Sequence, residues 1–316
     1  MFQPRGDVMK ILFPAALALA SLVSPAFAQN TFGPLIAPEA LSEKLEADAP
    51  LVLDIRGDAY AEGHIPGAVS APYAQFRGPA DNPGQVIPED QLEATLRGLG
   101  VTMDRPLAIV HEGDTDTDFG AAARVYWTLK SSGLTQLAIV DGGMTAWEAE
   151  SLPTSTEGST PTPSEIDIAW TDKWLATTDD VAAVVKGESE ATLVDARPAS
   201  FFEGKQSHGA AERPGTLPGA QNLTHSEFFK DGTRTVDPET ARSISERLGL
   251  ASDRPIVSFC NTGHWAATDW FAMSEIAGLD NVKLYADSMV GYSKTDNEMA
   301  NVPGLFQNLI NQVTGN

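Results

Sequence analysis

The chain repeats itself, and that repeat restricts its fold more than any other feature. Leu51-Val52-Leu53-Asp54-Ile55-Arg56 returns as Thr192-Leu193-Val194-Asp195-Ala196-Arg197, and Ile65-Pro66-Gly67-Ala68 returns as Leu217-Pro218-Gly219-Ala220. Leu99-Gly100, then Asp104-Arg105-Pro106 and an apolar run, returns as Leu248-Gly249, then Asp253-Arg254-Pro255 and an apolar run. Landmarks matched in the same order mark a duplicated unit. The second copy carries about eight more residues, between Phe202 and Leu217. Whatever fold the chain adopts, it adopts twice.

Each copy alternates short apolar runs with stretches of helical spacing. Leu51–Asp54, Leu107–His111 and Leu137–Val140 are predicted strands of the first copy, and Leu193–Asp195, Ile256–Phe259 and Val282–Tyr285 of the second. They are apolar without alternation, as strands covered on both faces are. Helices are predicted over Pro88–Gly98, Ala121–Ser131, Asp237–Leu248 and Ala267–Ala277. Strands separated by helices imply an α/β protein of two similar domains, each a doubly wound parallel sheet with helices on both faces. Leu152–Glu165, rich in Pro, Thr, Ser and Gly, reads as a linker. Leu305, Phe306, Leu309, Ile310 and Val313 have the spacing of a closing helix.

Before the first copy, Lys10, an apolar run from Ile11 to Val23 and the ending Ala26-Phe27-Ala28 have the form of a secretory signal peptide, with Met9 as an alternative start. The apolar run, about 13 residues, is shorter than the roughly 20 that span a bilayer; a membrane anchor is the competing reading. The expected division is a leader over 1–28, a first domain over 29–152, a linker over 153–165, a second domain over 166–300 and a terminal helix over 301–316. A periplasmic protein, free of the membrane after cleavage near Gln29, is the expectation. Its formal charge of −22, from 43 acidic against 21 basic residues, argues against nucleic acid and anionic lipid as partners. An anionic ligand is repelled at long range, so a site for one must be assembled locally.

The chain holds one cysteine, Cys260, so no intrachain disulfide forms. A lone cysteine is commonly a small buried hydrophobe, but this one stands where the run Ile256-Val257-Ser258-Phe259 ends. In open parallel sheets, ligands bind beyond the carboxyl ends of strands. Asn261-Thr262-Gly263-His264-Trp265 follows, with a helix expected from about Ala266. Gly263 permits a tight turn, and such a loop can aim backbone N–H groups and a helix start at the sulfur. Thiolate is the attacking species, and an ordinary thiol ionises only near pH 8.5, so a nucleophilic sulfur needs such donors. The first copy has His111 at the matching place, seven residues after Asp104 as Cys260 is seven after Asp253. Asp114, Asp116 and Asp118 follow it and would repel an anion. They also resemble a metal loop, but the glycine and distal glutamate of a calcium hand are missing. A solvated acidic loop is the expectation there, and no metal site is expected.

Asp195-Ala196-Arg197, Leu217-Pro218-Gly219-Ala220 and Cys260-Asn261-Thr262-Gly263-His264-Trp265-Ala266 resemble the motifs of the rhodanese family. The paired arrangement is similar to its tandem-domain thiosulfate and 3-mercaptopyruvate sulfurtransferases. This resemblance covers nearly all of residues 33 to 300. It implies an inactive first domain and a catalytic second one, with Cys260 as nucleophile and Asn261, Thr262, Gly263, His264, Trp265 and Ala266 as its loop. No cofactor is implied. The implied partners are a small anionic sulfur donor and a thiophilic acceptor: cyanide, a thiol or a protein. The implied cycle is ping-pong: the Cys260 thiolate takes the donor's outer sulfur and the resulting persulfide hands it on.

Several residues depart from the family pattern. The loop has neither the Cys-Gly-(Ser/Thr)-Gly-Val-Thr of mercaptopyruvate enzymes nor the basic residue that follows the cysteine in many thiosulfate enzymes. Phe201 stands where tandem relatives place an arginine before a Phe-x-Gly segment. Arg213 is the expected counterpart of a second substrate arginine, and Lys205 a candidate replacement for the lost charge. Arg197 is expected to pair with Asp195 in support of the loop. His264 is open to two readings, polarising substrate or bonding the loop, and Trp265 is expected to wall the pocket. A phosphatase of the cysteine-loop type needs an arginine six places after the nucleophile, where Ala266 stands. A redox sensor needs a resolving cysteine, which the chain lacks. A sulfur carrier that turns over poorly fits the same residues and stays open.

Overall fold

Four-residue apolar runs form the centre of two similar sheets. The computed structural model describes residues 1–2, 32–47, 50–230, 235–250 and 254–304. In the first copy, β1 (Leu35–Ile36), β2 (Leu51–Asp54), β3 (Val69–Ser70), β4 (Leu107–Val110) and β5 (Leu137–Val140) lie in the order β1-β5-β4-β2-β3. In the second, β6 (Leu175–Ala176), β7 (Thr192–Asp195), β8 (Gln221–Asn222), β9 (Ile256–Phe259) and β10 (Val282–Tyr285) lie in the order β6-β10-β9-β7-β8. Every pairing is parallel. The central strands match the predicted runs to within a residue at each end. The two-residue edge strands are not legible, because so short a run carries no periodicity.

Alternate strand residues enter different cores, and this places helices on both faces of each sheet. In the first copy, Val52, Ala108, Val110 and Val140 meet Leu41 of α1 (Pro38–Ala47) and Met144 and Trp147 of α4 (Gly143–Ala149). Leu51, Leu53, Ile109 and Ile139 meet Leu92 and Leu96 of α2 (Glu89–Gly98) and Phe119 and Val125 of α3 (Asp116–Ser131). In the second copy, Leu193, Val257 and Phe259 meet Val181 of α5 (Thr178–Val185) and Met289 and Tyr292 of α9 (Ser288–Tyr292). α6 (Ala199–Phe202) is a single turn after β7; α7 (Pro238–Arg247) and α8 (Trp265–Phe271) cover the other face.

The α2–α3 face of the first copy and the α7–α8 face of the second share one hydrophobic core. Phe271 meets Phe119 and Tyr126 edge-on, with ring centroids 5.4 and 5.1 Å apart. Fully burying an aromatic of this size contributes about 1.5–3 kcal/mol. The nearby Lys130–Glu275 pair, at 2.7 Å, is partly solvated, and such pairs contribute about 0–1 kcal/mol. Apolar burial therefore joins the copies, and the described residues from Phe32 to Gly304 belong to one unit.

Three expectations need correction. α3 starts at Asp116 rather than Ala121, because Thr115 and Asp118 form a capping box. The acidic run predicted as a solvated loop thus starts a helix. The last predicted helix starts at Trp265, and its end, Ala272–Ile276, is a π-turn. The expected linker is bound along the first copy: Ser155 bridges His64, Ser159 N–H donates to Tyr60 Oη at 3.0 Å, and Ser164 N–H donates to Arg97 O at 3.0 Å. The leader lies outside the described residues apart from Met1 and Phe2. So does the closing helix beyond Gly304; Asn301–Gly304 are not helical.

Candidate active site

Cys260 ends β9, and the loop to His264 leads directly into α8. The turn depends on Gly263, at φ +65°, where a Cβ would collide with Arg124 Nη1 and Ala286 O. Gly84, from the first copy, presses on the same loop: a Cβ there would collide with Ala286 O and Thr262. Ser288 Oγ pins the loop. It accepts from Cys260 N–H at 3.0 Å and Gly263 N–H at 3.1 Å, and donates to Tyr285 O at 2.8 Å. The N–H groups of Asn261, Thr262, His264, Trp265 and Ala266 meet no acceptor among the described residues. The last two open α8, where helix N–H groups lack partners by geometry.

Beneath the loop, Asp195 holds Arg197 through Nε at 2.8 Å and Nη2 at 2.6 Å, and also accepts from Thr216 Oγ1 at 2.6 Å. Arg197 Nη1 reaches Asn261 Oδ1 at 3.3 Å. Asp54 and Arg56 make the equivalent pair in the first copy, at 2.8 Å. His264 links the copies: Tyr73 Oη lies 3.0 Å from Nδ1 and Thr117 O lies 2.8 Å from Nε2. A carbonyl only accepts, so Nε2 carries the proton and Nδ1 receives the Tyr73 hydroxyl. Burial and then the positive field of Arg77 push the His264 pKa down to about 3. Trp265 stacks on His225 with centroids 4.8 Å apart, and Phe201 packs edge-on against it at 6.1 Å.

The two predicted substrate cations are not brought to the loop. Arg213 donates to Ser293 O at 3.0 Å, Thr295 O at 2.5 Å and Asn297 O at 3.1 Å. Its guanidinium ties down the segment that follows α9, from the C-cap Ser293 to Asn297. Lys205 sits in solvent, paired with Glu203 at 2.5 Å.

Sequence reasoning missed the cations that are at the loop, because they come from the first copy. Arg77 donates from Nη2 to Thr262 O at 2.8 Å. Arg124, on α3 and 1% exposed, donates to Gly263 O at 3.3 Å and Gly84 O at 2.9 Å. It missed Ser288 as well, though a comparison of the copies after β5 and β10 would have found it. Met144 N–H donates to His111 O in one, and Met289 N–H donates to Cys260 O in the other. Ser288 therefore corresponds to Gly143. A third missed group is Asp269 on α8, fully buried, with neither carboxyl oxygen hydrogen-bonded. Burial first, then the proximity of Cys260, raises its pKa well above 3.8.

Cys260 itself is 1% exposed and borders the shared hydrophobic core, while on the loop side Ser288 Oγ accepts from its N–H and Arg77 and Arg124 donate to the carbonyls of Thr262 and Gly263. Two parallel α/β domains, with a single loop cysteine at a strand end of the second, define a tandem-domain cysteine-loop protein. The rhodanese-like domain matches residues 37–150 and 177–295, and the chain belongs to that family. The thiosulfate sulfurtransferase of Azotobacter vinelandii is 31% identical over 263 residues, covering 80% of this chain and 92% of that protein. Sulfur carrier protein TtuD of Thermus thermophilus is 27% identical over 266 residues, covering 80% and 91%. The fold matches that of SseA, a 3-mercaptopyruvate sulfotransferase from Escherichia coli, with a TM-score of 0.70. The match covers 82% of this chain and 98% of that one, at 24% identity.

Proposed function

We propose that this protein is an exported sulfurtransferase that moves the outer sulfur of thiosulfate to a thiophilic acceptor through a persulfide on Cys260. The observation that carries this reading is the setting of the chain's one cysteine: a strand end, a loop pinned by Ser288, and loop N–H groups without other acceptors. The Cys260 thiolate attacks the outer sulfur; the sulfur–sulfur bond of thiosulfate breaks, and sulfite leaves with its electron pair. Negative charge passes to the outer sulfur of the persulfide, where amide donors stabilise it. Cyanide then attacks that sulfur, thiocyanate departs and the thiolate returns. His264, held neutral, supports the loop rather than exchanging protons. The pattern at 10–28 supports export and cleavage near Gln29.

Purified protein treated with thiosulfate is expected to gain the mass of one sulfur atom and to lose it to cyanide; Cys260→Ser should do neither. Equal turnover by the serine variant would refute the mechanism. 3-Mercaptopyruvate run in parallel decides the donor. Sulfur that resists cyanide but passes to a protein acceptor would make the chain a carrier, as its Thermus relative is named. Recovery of unprocessed chain from the cytoplasm would refute export.

A further inference from the structure

A net charge of −22 makes the location of uncommitted cations informative. The described ion pairs hold basic side chains against acids, as in Arg97–Glu93, Lys205–Glu203 and Arg254–Glu190. Arg77 and Arg124 are different. Neither forms an ion pair with a carboxylate among the described residues. Both donate to carbonyls of the Cys260 loop, and each keeps one buried nitrogen without a partner, Arg77 Nη1 and Arg124 Nε. A guanidinium in a protein stays charged, and a buried N–H left without an acceptor is costly. Arg77 rests over the Tyr73 ring, its guanidinium carbon 5.1 Å from the centroid. Its field reaches His264 in the loop and His208 in the insertion of the second copy, whose pKa is lowered by burial first and by Arg77 next. Burial, then repulsion from Arg77, lowers the Arg124 pKa to about 10, while Cys260 acts in the opposite direction.

We infer that Arg77 binds the negatively charged sulfonate end of the sulfur donor, with Arg124 behind it as a positioning residue. On this view, the domain without a nucleophile supplies substrate recognition to the domain that has one. The inference rests on the reading of Cys260 as the sulfur-accepting group and names the donor contact of that site. Arg77 Nη2 stays on Thr262 O, which ties the cation to the loop, and Nη1 is the nitrogen left to meet a sulfonate oxygen. Arg124 bridges Gly263 O and Gly84 O, and so fixes the loop of each copy against the other.

The test has two arms. In the first, thiosulfate binding is measured by calorimetry on Cys260→Ser and on the same protein carrying Arg77→Met or Arg77→Lys. Losing one charge-assisted contact should weaken binding about 10- to 100-fold for Met, and Lys should recover part of it. In the second arm, KM and kcat are measured for thiosulfate and for an uncharged organic trisulfide. Arg77→Met should raise KM for the anion at least tenfold more than for the trisulfide, with thermal unfolding midpoints reported for each variant. Unchanged thiosulfate affinity, or equal losses for both donors, would overturn the assignment. Failure of wild type to gain sulfur from either donor would refute the persulfide reading, and the calorimetric arm would still decide the anion site.

Discussion

Asp269 is fully buried on α8, near Cys260, and neither carboxyl oxygen has a hydrogen-bond partner. A buried charge without partners is far costlier than a buried neutral acid, so the folded chain keeps this carboxyl protonated. The unfolded chain does not: above about pH 3.8 it releases the proton. Folding therefore takes up one proton, and stability must fall as pH rises, by about 1.36 kcal/mol per pH unit. This loss continues until the folded carboxyl itself ionises. Asp269→Asn keeps the size and removes the titration. Urea unfolding of both proteins, followed by fluorescence of the six tryptophans from pH 4 to 8, should give a stability difference that grows with that slope in favour of Asn. The pH at which it flattens reports the folded-state ionisation. Because Cys260 is the second cause of the shift, after burial, the flattening should come at lower pH in Cys260→Ser. Parallel stability curves would mean that Asp269 is ionised in the folded protein, and the argument would fail.

Three further outcomes follow from particular contacts. Burial lowers the His111 pKa to about 4 from 6.5, with Asp118 opposing, so His111 contributes stability that is present above pH 6.5 and lost on acidification. His111→Leu should remove about 3 kcal/mol of the acid destabilisation between pH 6.5 and 4, read as a flatter acid limb in urea unfolding. Ser288→Gly reproduces the residue of the first copy and suits the left-handed backbone there, φ +51°. It leaves the N–H groups of Cys260 and Gly263 without an acceptor, and should cost about 1–3 kcal/mol and slow sulfur loading in a single-turnover mass assay. Arg213→Met should lower the thermal midpoint, since three carbonyls lose their donor, and leave KM for thiosulfate within twofold; a large rise in KM would restore Arg213 to the substrate site.

The duplication, the central strands and the place of Cys260 follow from apolar runs and their order, because a buried parallel strand must be continuously apolar. The Asp195–Arg197 pair is legible too, since the residues are two apart and recur as Asp54 and Arg56. The Ala121 start predicted for α3 falls five residues short because the start is set by the side chains of Thr115 and Asp118, which form the cap, and not by apolar spacing. Arg213 misled because it sits in an insertion, where alignment gives sequence proximity without spatial proximity. Arg77 and Arg124 are separated from Cys260 by more than a hundred residues. Only the packing of the first copy on the second, through α3 on α8 for Arg124 and the turn ending at Phe76 for Arg77, brings them to the loop, a tertiary event with no local signal. Asp269 escaped notice because an acid between Thr268 and Trp270 looks like any helix surface residue until burial is known.

The duplication leaves two scaffolds that are nearly equivalent in backbone. Each has an Asp–Arg pair under its loop, and each ties the residue after its central strand to the next connection through a methionine N–H. What separates them chemically is small: His111 against Cys260, and Gly143 against Ser288. Those changes leave a thiol in one copy alone, but they do not explain why the other persists at such length. The charge balance supplies a reason. An anionic donor approaching a chain with 43 acidic side chains gains from long-range electrostatics only if cations are already gathered at the sulfur and held away from neighbouring carboxylates. Within the second domain, Arg197 is committed to Asp195 and Arg213 to carbonyls. The first domain delivers Arg77 and Arg124 across an apolar interface whose aromatic packing is insensitive to the charge it presents. An isolated second domain would retain Cys260, Ser288 and the loop, yet lose both guanidinium groups. Its sulfur would then face the chain's own negative field unassisted.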